Sequence, residues 1–335
     1  MRPAVLWLRL FATGFAVVFV LLVWTVLTPR FEGDLARVGR LSETQFHGSE
    51  PQPSPRAEHL RGVPLAQADV VVIGDSFSVG LVWQSALVKA GYRVTTLLWN
   101  DTGPLCGDLD AWLARAGFRG RLVLVESVER ELDQRTRDSL SCSAMRRAPR
   151  ELLQPPPVRP PRRVLGLALN WDESIGTGIL TTLRTRRAMG EAEDIVFGDH
   201  GPDGARLRRV SDGCQRFSHR LCGKALFFAK DQAMPALSSA TLQRMQALSA
   251  RHARLMWVVM PDKTSVYLQP ERGLPVGPGL VDLKLGPDLF DFAIGERTRM
   301  RDFYLPDDSH PSPRGFMRIG ERLTQAVREA IGGPA

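Results

Sequence analysis

Several things are missing from this sequence, and each absence closes off a class of protein. There is no CxxC pair, and His200 and His219 lie at no spacing that suits tetrahedral zinc, so a structural zinc module is excluded. No stripe of basic residues is interleaved with aromatics. The formal charge is +8, from 44 Lys+Arg against 36 Asp+Glu. The densest basic run, RPPRR at 159–163, falls in a proline-rich stretch. The arginine excess therefore reads as a solvated surface, and nucleic acid is not expected as a partner. No internal repeat is visible, which excludes a solenoid.

Charge is absent from FATGFAVVFVLLVWTVLT at 11–28. With Leu10 and the apolar residues before Arg9, the segment reaches the roughly twenty residues that a bilayer core needs. Trp7 and Trp24 stand near its ends, where interfacial aromatics belong. The run has no polar face, so it is not an amphipathic core helix. No A-x-A-like site follows Leu27, where the chain continues Thr28-Pro29-Arg30, so a cleaved signal peptide is disfavoured. Arg2 and Arg9 precede the run, and Arg30, Arg37 and Arg40 follow it. The expectation is one uncleaved transmembrane anchor (1–28) in the inner membrane, with the N-terminus in the cytoplasm and the body in the periplasm.

Four cysteines, Cys106, Cys142, Cys214 and Cys222, suit disulfides in such a body. They allow three connectivities. The short interval favours Cys214 with Cys222, which leaves Cys106 with Cys142.

After the anchor, residues 29–67 are rich in Pro, Glu, Gln, Ser and Arg and read as a linker. From residue 68 the pattern changes. VVVIGD (70–75) is a short β-branched run, typical of a parallel strand buried on both faces. A helix is expected over 81–91, stopped by Gly91. YRVTTLLW (92–99) reads as a strand, LDAWLARAG (109–117) as a helix, and RLVLVES (121–127) as a strand. Residues 238–253 return to helical spacing, 254–261 form a strand ended by proline, and 312–331 form a last helix. Alternating strands and helices predict an α/β domain over 68–335, with a parallel sheet and helices on both faces. Residues 148–163 look irregular, and about 148–230 reads as an insertion whose elements the pattern leaves open.

Two short segments carry chemistry. Gly74-Asp75-Ser76-Phe77-Ser78 follows the first strand, and so places a serine at the carboxyl end of a parallel strand, where α/β sheets bind ligands. If the helix starts at once, the Ser76 N–H can also stabilise an oxyanion. The bland reading is that Ser76 only caps a helix. Near the C-terminus, Asp307-Asp308-Ser309-His310 stands just before the last helix. A base and an orienting acid there complete a nucleophile–base–acid set with Ser76.

GDS at 74–76 and Asp307-x-x-His310 resemble the first and last blocks of the SGNH hydrolase superfamily. The resemblance implies a three-layer, flavodoxin-like sheet, with Ser76 as nucleophile, His310 as base and Asp307 as acid. The glycine of the second block, an oxyanion-hole donor, is matched by Gly103 in NDTGPLCGD. A Gly-x-Asn-Asp third block is missing. In its place stands Glu126-x-x-Glu129-Arg130, which is similar to SGNH-like proteins of the alginate O-acetyltransferase type. GDSFS (74–78) and the Pro261-Asp262-Lys263…Tyr267 segment share that likeness. There the pair often reads Asp-x-His, which makes Asp308 the alternative acid. In that type the pair precedes the serine, whereas here it follows.

For the remaining candidates two readings stand side by side. Asp75 belongs to the serine turn as a support. Asn100 either donates to an oxyanion or caps a turn. Arg130 either faces the oxyanion or joins Glu126 and Glu129 in a buried ion pair, the preferred reading. Asp262 and Lys263 are expected to pair with each other. The family likeness and the anchor imply an O-acyltransferase that moves an acetyl group onto an exported polysaccharide, supplied by a multipass membrane acyl-donor protein. A carbohydrate esterase or a non-catalytic glycan-binding subunit is the alternative. No residue pattern asks for a cofactor or a metal.

Overall fold

The computed structural model describes residues 3–27, 33–39, 41, 48, 50–156, 183, 185–188, 190, 195–197, 204–252 and 254–334. Residues 157–182, which include the RPPRR run, and His200 lie outside these.

The first element, α1 (Pro3–Leu27), is a 25-residue apolar helix. Its stretch Pro3–Leu21 has a mean hydropathy of 2.2 and is not buried against the rest of the chain, so it is long and apolar enough to cross a membrane. A short helix, α2 (Asp34–Gly39), follows, and three of its residues, Leu35, Ala36 and Gly39, are buried. The stretch read above as a linker therefore contains a packed element.

The body is α/β. Four parallel strands, β1 (Val70–Gly74), β2 (Val94–Leu98), β3 (Leu122–Val128) and β8 (Leu255–Met260), form the central sheet, with β4 (Glu151–Leu152) antiparallel at one edge. The order is β4-β2-β1-β3-β8. The chain winds one way from β1 to β2 and the other way to β3, so the carboxyl end of β1 lies where the winding reverses. The β4 pairing falls inside a segment expected to be irregular. Thr96 and Leu97 of β2 supply its partners, and Glu151 accepts the Leu65 N–H at 2.7 Å.

Alternation along β1 builds two cores. Val71 and Ile73 point into a cluster with Trp112 and Leu113 of α4 (Leu109–Arg115) and Met245 and Leu248 of α6 (Ser239–Arg251). Val70 and Val72 point the other way. There they join Leu87 of α3 (Gln84–Lys89), Leu289 of α8 (Leu289–Arg299), and Ile319 and Leu323 of α9 (Pro313–Ile331). Every residue of β1 is buried, which explains the unbroken apolar run. Helix α9 begins as its sequence asks: Ser312 accepts the Gly315 N–H at 3.1 Å, and Pro313 takes a first-turn position.

Between α5 (Glu129–Ser141) and α6, the chain builds a second, antiparallel sheet of β5 (Ile195–Phe197), β6 (Ala205–Arg209) and β7 (Lys224–Phe228), in the order β5-β6-β7. The connection from β6 to β7 is closed by the Cys214–Cys222 disulfide. Cys106–Cys142 ties the loop before α4 to the end of α5. The first is the pairing favoured from its short interval, and the second is the one that then remains. Leu35, Ala36 and Leu41 share a third, small core with Ala205, Leu207 and Leu226. The segment after the apolar helix thus packs on the small sheet.

Candidate active site

The serine turn leaves β1 at Gly74, and the turn is tight. A Cβ at Gly74 would overlap the Ser78 side chain, so only glycine admits this backbone path. Asp75 anchors the turn. Its Oδ1 accepts the Phe77 N–H at 3.0 Å, and its Oδ2 accepts the Val128 N–H at 2.9 Å and Arg135 at 2.7 Å. Arg135 in turn lies over the Trp99 ring at 5.0 Å. Burial disfavours a charge on Asp75, but Arg135 and the two amides outweigh it and hold the carboxyl below its ordinary range. Beneath the turn, Glu126 Oε2 accepts the Asp75 N–H at 2.8 Å and the Ser78 hydroxyl at 2.7 Å. Full burial, with Asp75 beside it, pushes the Glu126 carboxyl well above its usual range.

The helix after this turn starts at Gln84, not next to Ser76. Residues 76–83 form turns, with Leu81 at a φ of 54°. Ser76 therefore owes nothing to a helix N-terminus. Its side chain is exposed, and its N–H has no hydrogen-bond partner among the described residues.

The second half of the site arrives from 234 positions away. Ser76 Oγ lies 2.9 Å from His310 Nε2, and His310 Nδ1 lies 2.7 Å from Asp308 Oδ1. Asp308 Oδ1 also accepts the His310 N–H at 2.8 Å. Phe77 packs against the imidazole at 4.6 Å between ring centroids. The acid at the imidazole is thus Asp308, and the first choice made from sequence, Asp307, is corrected. The loop turns at Pro306 and Asp307, so the two adjacent acids point in different directions and Asp308 is the one that reaches the ring. Asp307 is 5% exposed and turned toward Gly33. Burial, then the charge of Asp308, raises its carboxyl to about 7. Asp308 is opposed by burial too, yet the hydrogen bond and charge of His310 bring it down to about 2. For His310, burial works against protonation, but Asp308 and then Asp34 outweigh it and raise the imidazole above its ordinary value.

The oxyanion candidates fare unequally. The Gly103 N–H donates to the Trp99 carbonyl at 2.8 Å, so this amide is already committed to a helical turn at 99–102. Gly103 is needed there for its positive φ of 76°, and its assignment as an oxyanion donor is withdrawn. Asn100 lies in the same turn, where its carbonyl accepts from Arg147. The Ser76 N–H is the remaining donor of that kind.

Arg130 does not stand free either. It pairs with Asp262 and, at 3.3 Å, with Asp231, and lies 5.1 Å from the Phe228 ring centre. The buried ion-pair reading is correct in kind, with different partners from those expected. Glu129 instead accepts the Asp262 N–H at 2.9 Å and the Ser265 hydroxyl at 2.8 Å. Asp262 and Lys263 do not pair with each other. In α7 (Lys263–Tyr267), Lys263 is fully buried, and its ammonium donates to the carbonyls of Leu226 at 2.7 Å, Leu305 at 2.5 Å and Asp308 at 3.1 Å. It lies 5.1 Å from the Phe227 ring centre and 5.5 Å from that of Phe217. Burial lowers its pKa to about 8, against the pull of Asp307 and Asp308. Lysine is long enough to reach three carbonyls and pin the acid–histidine loop from below. Its place after Pro261-Asp262 hinted at a role, but its partners are set by two distant segments, β7 and the loop at 305–308.

Asp34, at the start of α2, belongs to no motif in the sequence. Its carboxylate accepts the Ser309 N–H at 2.7 Å and the Ser309 hydroxyl at 2.5 Å, and its N–H donates to Asp308 Oδ2 at 3.2 Å. Nothing in a Pro- and Glu-rich stretch marks one aspartate as part of a site 274 positions away. Among the described residues, Asp34, Asp308 and His310 bring three potential metal-ligand atoms within 4.8 Å of one another. Two of these groups, Asp308 and His310, are already joined by a hydrogen bond, which a cation would have to break.

In chemical terms, a hydroxyl sits on an imidazole that is oriented by a carboxylate, at the exposed carboxyl end of a parallel sheet. Such an array can move a proton from the hydroxyl to the ring and stabilise the cation that results. Compared with known proteins, the chain matches no family model, no curated protein and no solved structure.

Proposed function

We propose that this chain is a membrane-anchored, extracytoplasmic serine enzyme of the SGNH type, acting as an O-acyltransferase on an exported polysaccharide. The observation that carries the reading is the 2.9 Å contact of Ser76 Oγ with His310 Nε2, backed by Asp308. The α/β sheet with the serine after β1 agrees with it. The apolar helix and the two disulfides agree with a single-pass anchor in the inner membrane and a periplasmic body.

In the first half-reaction His310 takes the Ser76 proton. The Ser76 oxygen forms a bond to the acyl carbon, and the bond from that carbon to the donor's oxygen or sulfur breaks. The leaving group collects the proton from His310. The Ser76 N–H faces the developing oxyanion, and one good donor of this kind is worth about 3–4 kcal/mol. In the second half an acceptor hydroxyl gives its proton to His310 and attacks the acyl-serine. The new sugar ester departs, and Ser76 recovers its proton. Transfer onto a polysaccharide, with a multipass membrane protein as acyl source, rests on the likeness of the GDSFS, Glu-x-x-Glu-Arg and Pro-Asp-Lys segments to alginate O-acetyltransferases. With water as acceptor the same groups make an esterase.

The test is intact-mass analysis of the full chain in detergent after exposure to an activated acetyl ester. An acetyl adduct on Ser76, absent from Ser76→Ala and His310→Ala, is the expected result. Added oligosaccharides should then carry the acetyl group, whereas free acetate alone identifies an esterase. No adduct, together with an unchanged cellular phenotype of Ser76→Ala, would identify a glycan-binding subunit instead.

A further inference from the structure

The segment between the apolar helix and the body does more than span a gap. Gly33 packs so closely on Asp307 that a Cβ there would strike the Asp307 carbonyl. The same carbonyl accepts the N–H groups of Leu35 and Ala36, each at 3.1 Å. The Asp34 carboxylate closes on Ser309, and the Asp34 N–H holds the second oxygen of Asp308. The three residues before His310 are therefore each gripped by residues 34–36. The remaining face of this loop is held from below by Lys263 through the carbonyls of Leu305 and Asp308.

We propose that Asp34 is a positioning residue of the catalytic site, through which the membrane-proximal segment fixes Asp308 on His310 and keeps the imidazole in line with Ser76. The proposal rests on reading Ser76, His310 and Asp308 as the reacting set. Two features distinguish Asp34 from an ordinary surface contact. Its carboxylate also lies 3.5 Å from His310 Nδ1, so it acts on the ring as a charge. Its hydrogen bonds go to Ser309, which stands between the acid and the base, and a shift there moves both. Leu27, the last residue of α1, and Asp34 are seven positions apart. Seven residues reach at most about 25 Å. The site is thus hydrogen-bonded to residues 34–36, which the chain ties covalently to the end of the apolar helix, and this tether keeps acyl chemistry near the membrane surface.

Charged groups reach His310 from several elements: Asp308 in its own loop, Asp34 from α2 and Arg130 from α5. The two carboxylates favour the imidazolium and Arg130 opposes it. Removing the Asp34 charge should therefore lower the pKa of His310, and the acid limb of the reaction should move to lower pH.

The test uses the full chain in detergent and a fluorophosphonate probe, whose phosphorus bonds to Ser76 Oγ as fluoride leaves and the hydroxyl proton passes to His310. The rate of labelling is followed from pH 5 to 9. For Asp34→Asn, which keeps the shape but not the charge, the alkaline plateau should fall about tenfold and the acid limb should move down by about one pH unit. Asp34→Ala should lose more at the plateau. Wild-type rates and an unmoved limb in both variants would overturn the proposal. So would an equal loss at every pH with a lowered melting temperature, which marks a purely structural contact. If Asp34→Ala does not fold, the near-isosteric Asn variant decides alone. Ser76→Ala is the separate control: persistent labelling there would refute the reading of the reacting set, whatever Asp34 does.

Discussion

The central sheet and the small sheet do different jobs by different means. The central sheet is built on strands that are buried on both sides between two apolar clusters, and it delivers Ser76 from one of its own strand ends. The small sheet, α2 and the Asp307–His310 loop form a patchwork of distant segments. Leu226 of β7 bonds Pro306 at 2.9 Å, Leu35 and Ala36 bond Asp307, and Lys263 joins β7 to the loop. Ser76 therefore sits directly after a strand of the main sheet, whereas Asp308 and His310 sit on a loop held largely by polar contacts from distant segments. A loop needs this because an unpaired backbone group costs free energy when buried, and every clamp here satisfies a carbonyl or an amide.

The largest expected effect separates the two acids. Asp308→Asn should cut the rate of Ser76 acylation by about 10³–10⁴-fold, because the imidazole loses both its orientation and the charge that stabilises its cation. Its pH profile should also change. The rate needs neutral His310, whose pKa stands above the ordinary value, so the rate of the wild type should still be rising above pH 6.5. Removing the Asp308 charge lowers that pKa and moves the rise to lower pH. Single-turnover acylation followed across pH checks both points, and a rate for Asp308→Asn within tenfold of the wild type would return the role to Asp307.

Next in size is the clamp beneath the loop. Lys263→Met fills similar space but leaves the carbonyls of Leu226, Leu305 and Asp308 without their shared donor, which should cost about 3 kcal/mol of stability. Urea unfolding of the variant checks this. Unchanged stability with normal acylation would mean that the loop holds itself.

The disulfides sharpen the comparison further. Their sequence separations are 36 and 8. Loop-closure entropy then assigns about 4 kcal/mol to Cys106–Cys142 and about 2.5 kcal/mol to Cys214–Cys222. Yet replacing Cys214 and Cys222 by serine should slow acylation more than replacing Cys106 and Cys142, because only the former closes the hairpin that carries Leu226 to the loop. Paired unfolding and labelling experiments decide it.

The smallest effect is expected at Asp307. With its carboxyl raised to about 7 and turned away from the ring, Asp307→Asn resembles a state already populated near neutrality. Acylation at pH 7 should stay within about threefold of the wild type, and a much larger loss would show that the carboxyl takes part.

The sequence alone determined the apolar helix, the α/β class and the two segments that meet at the site, and it favoured the nearer of the two disulfides. These rest on local rules: an uncharged run of bilayer length, a buried strand written as an unbroken β-branched stretch, and one pair of cysteines, Cys214 and Cys222, close enough to favour each other. Which of two adjacent acids faces His310 was decided by tertiary structure, because a loop's side-chain directions depend on what grips its backbone. The same holds for Gly103, whose amide is taken by Trp99, and for Lys263, whose three partners come from β7 and the acid loop. Asp34 was the least legible, since one aspartate in a polar stretch carries no periodicity and no motif. Hydrogen bonds and ion pairs between distant segments are specified only once the apolar layers have placed those segments side by side, and that placement is a property of the whole chain.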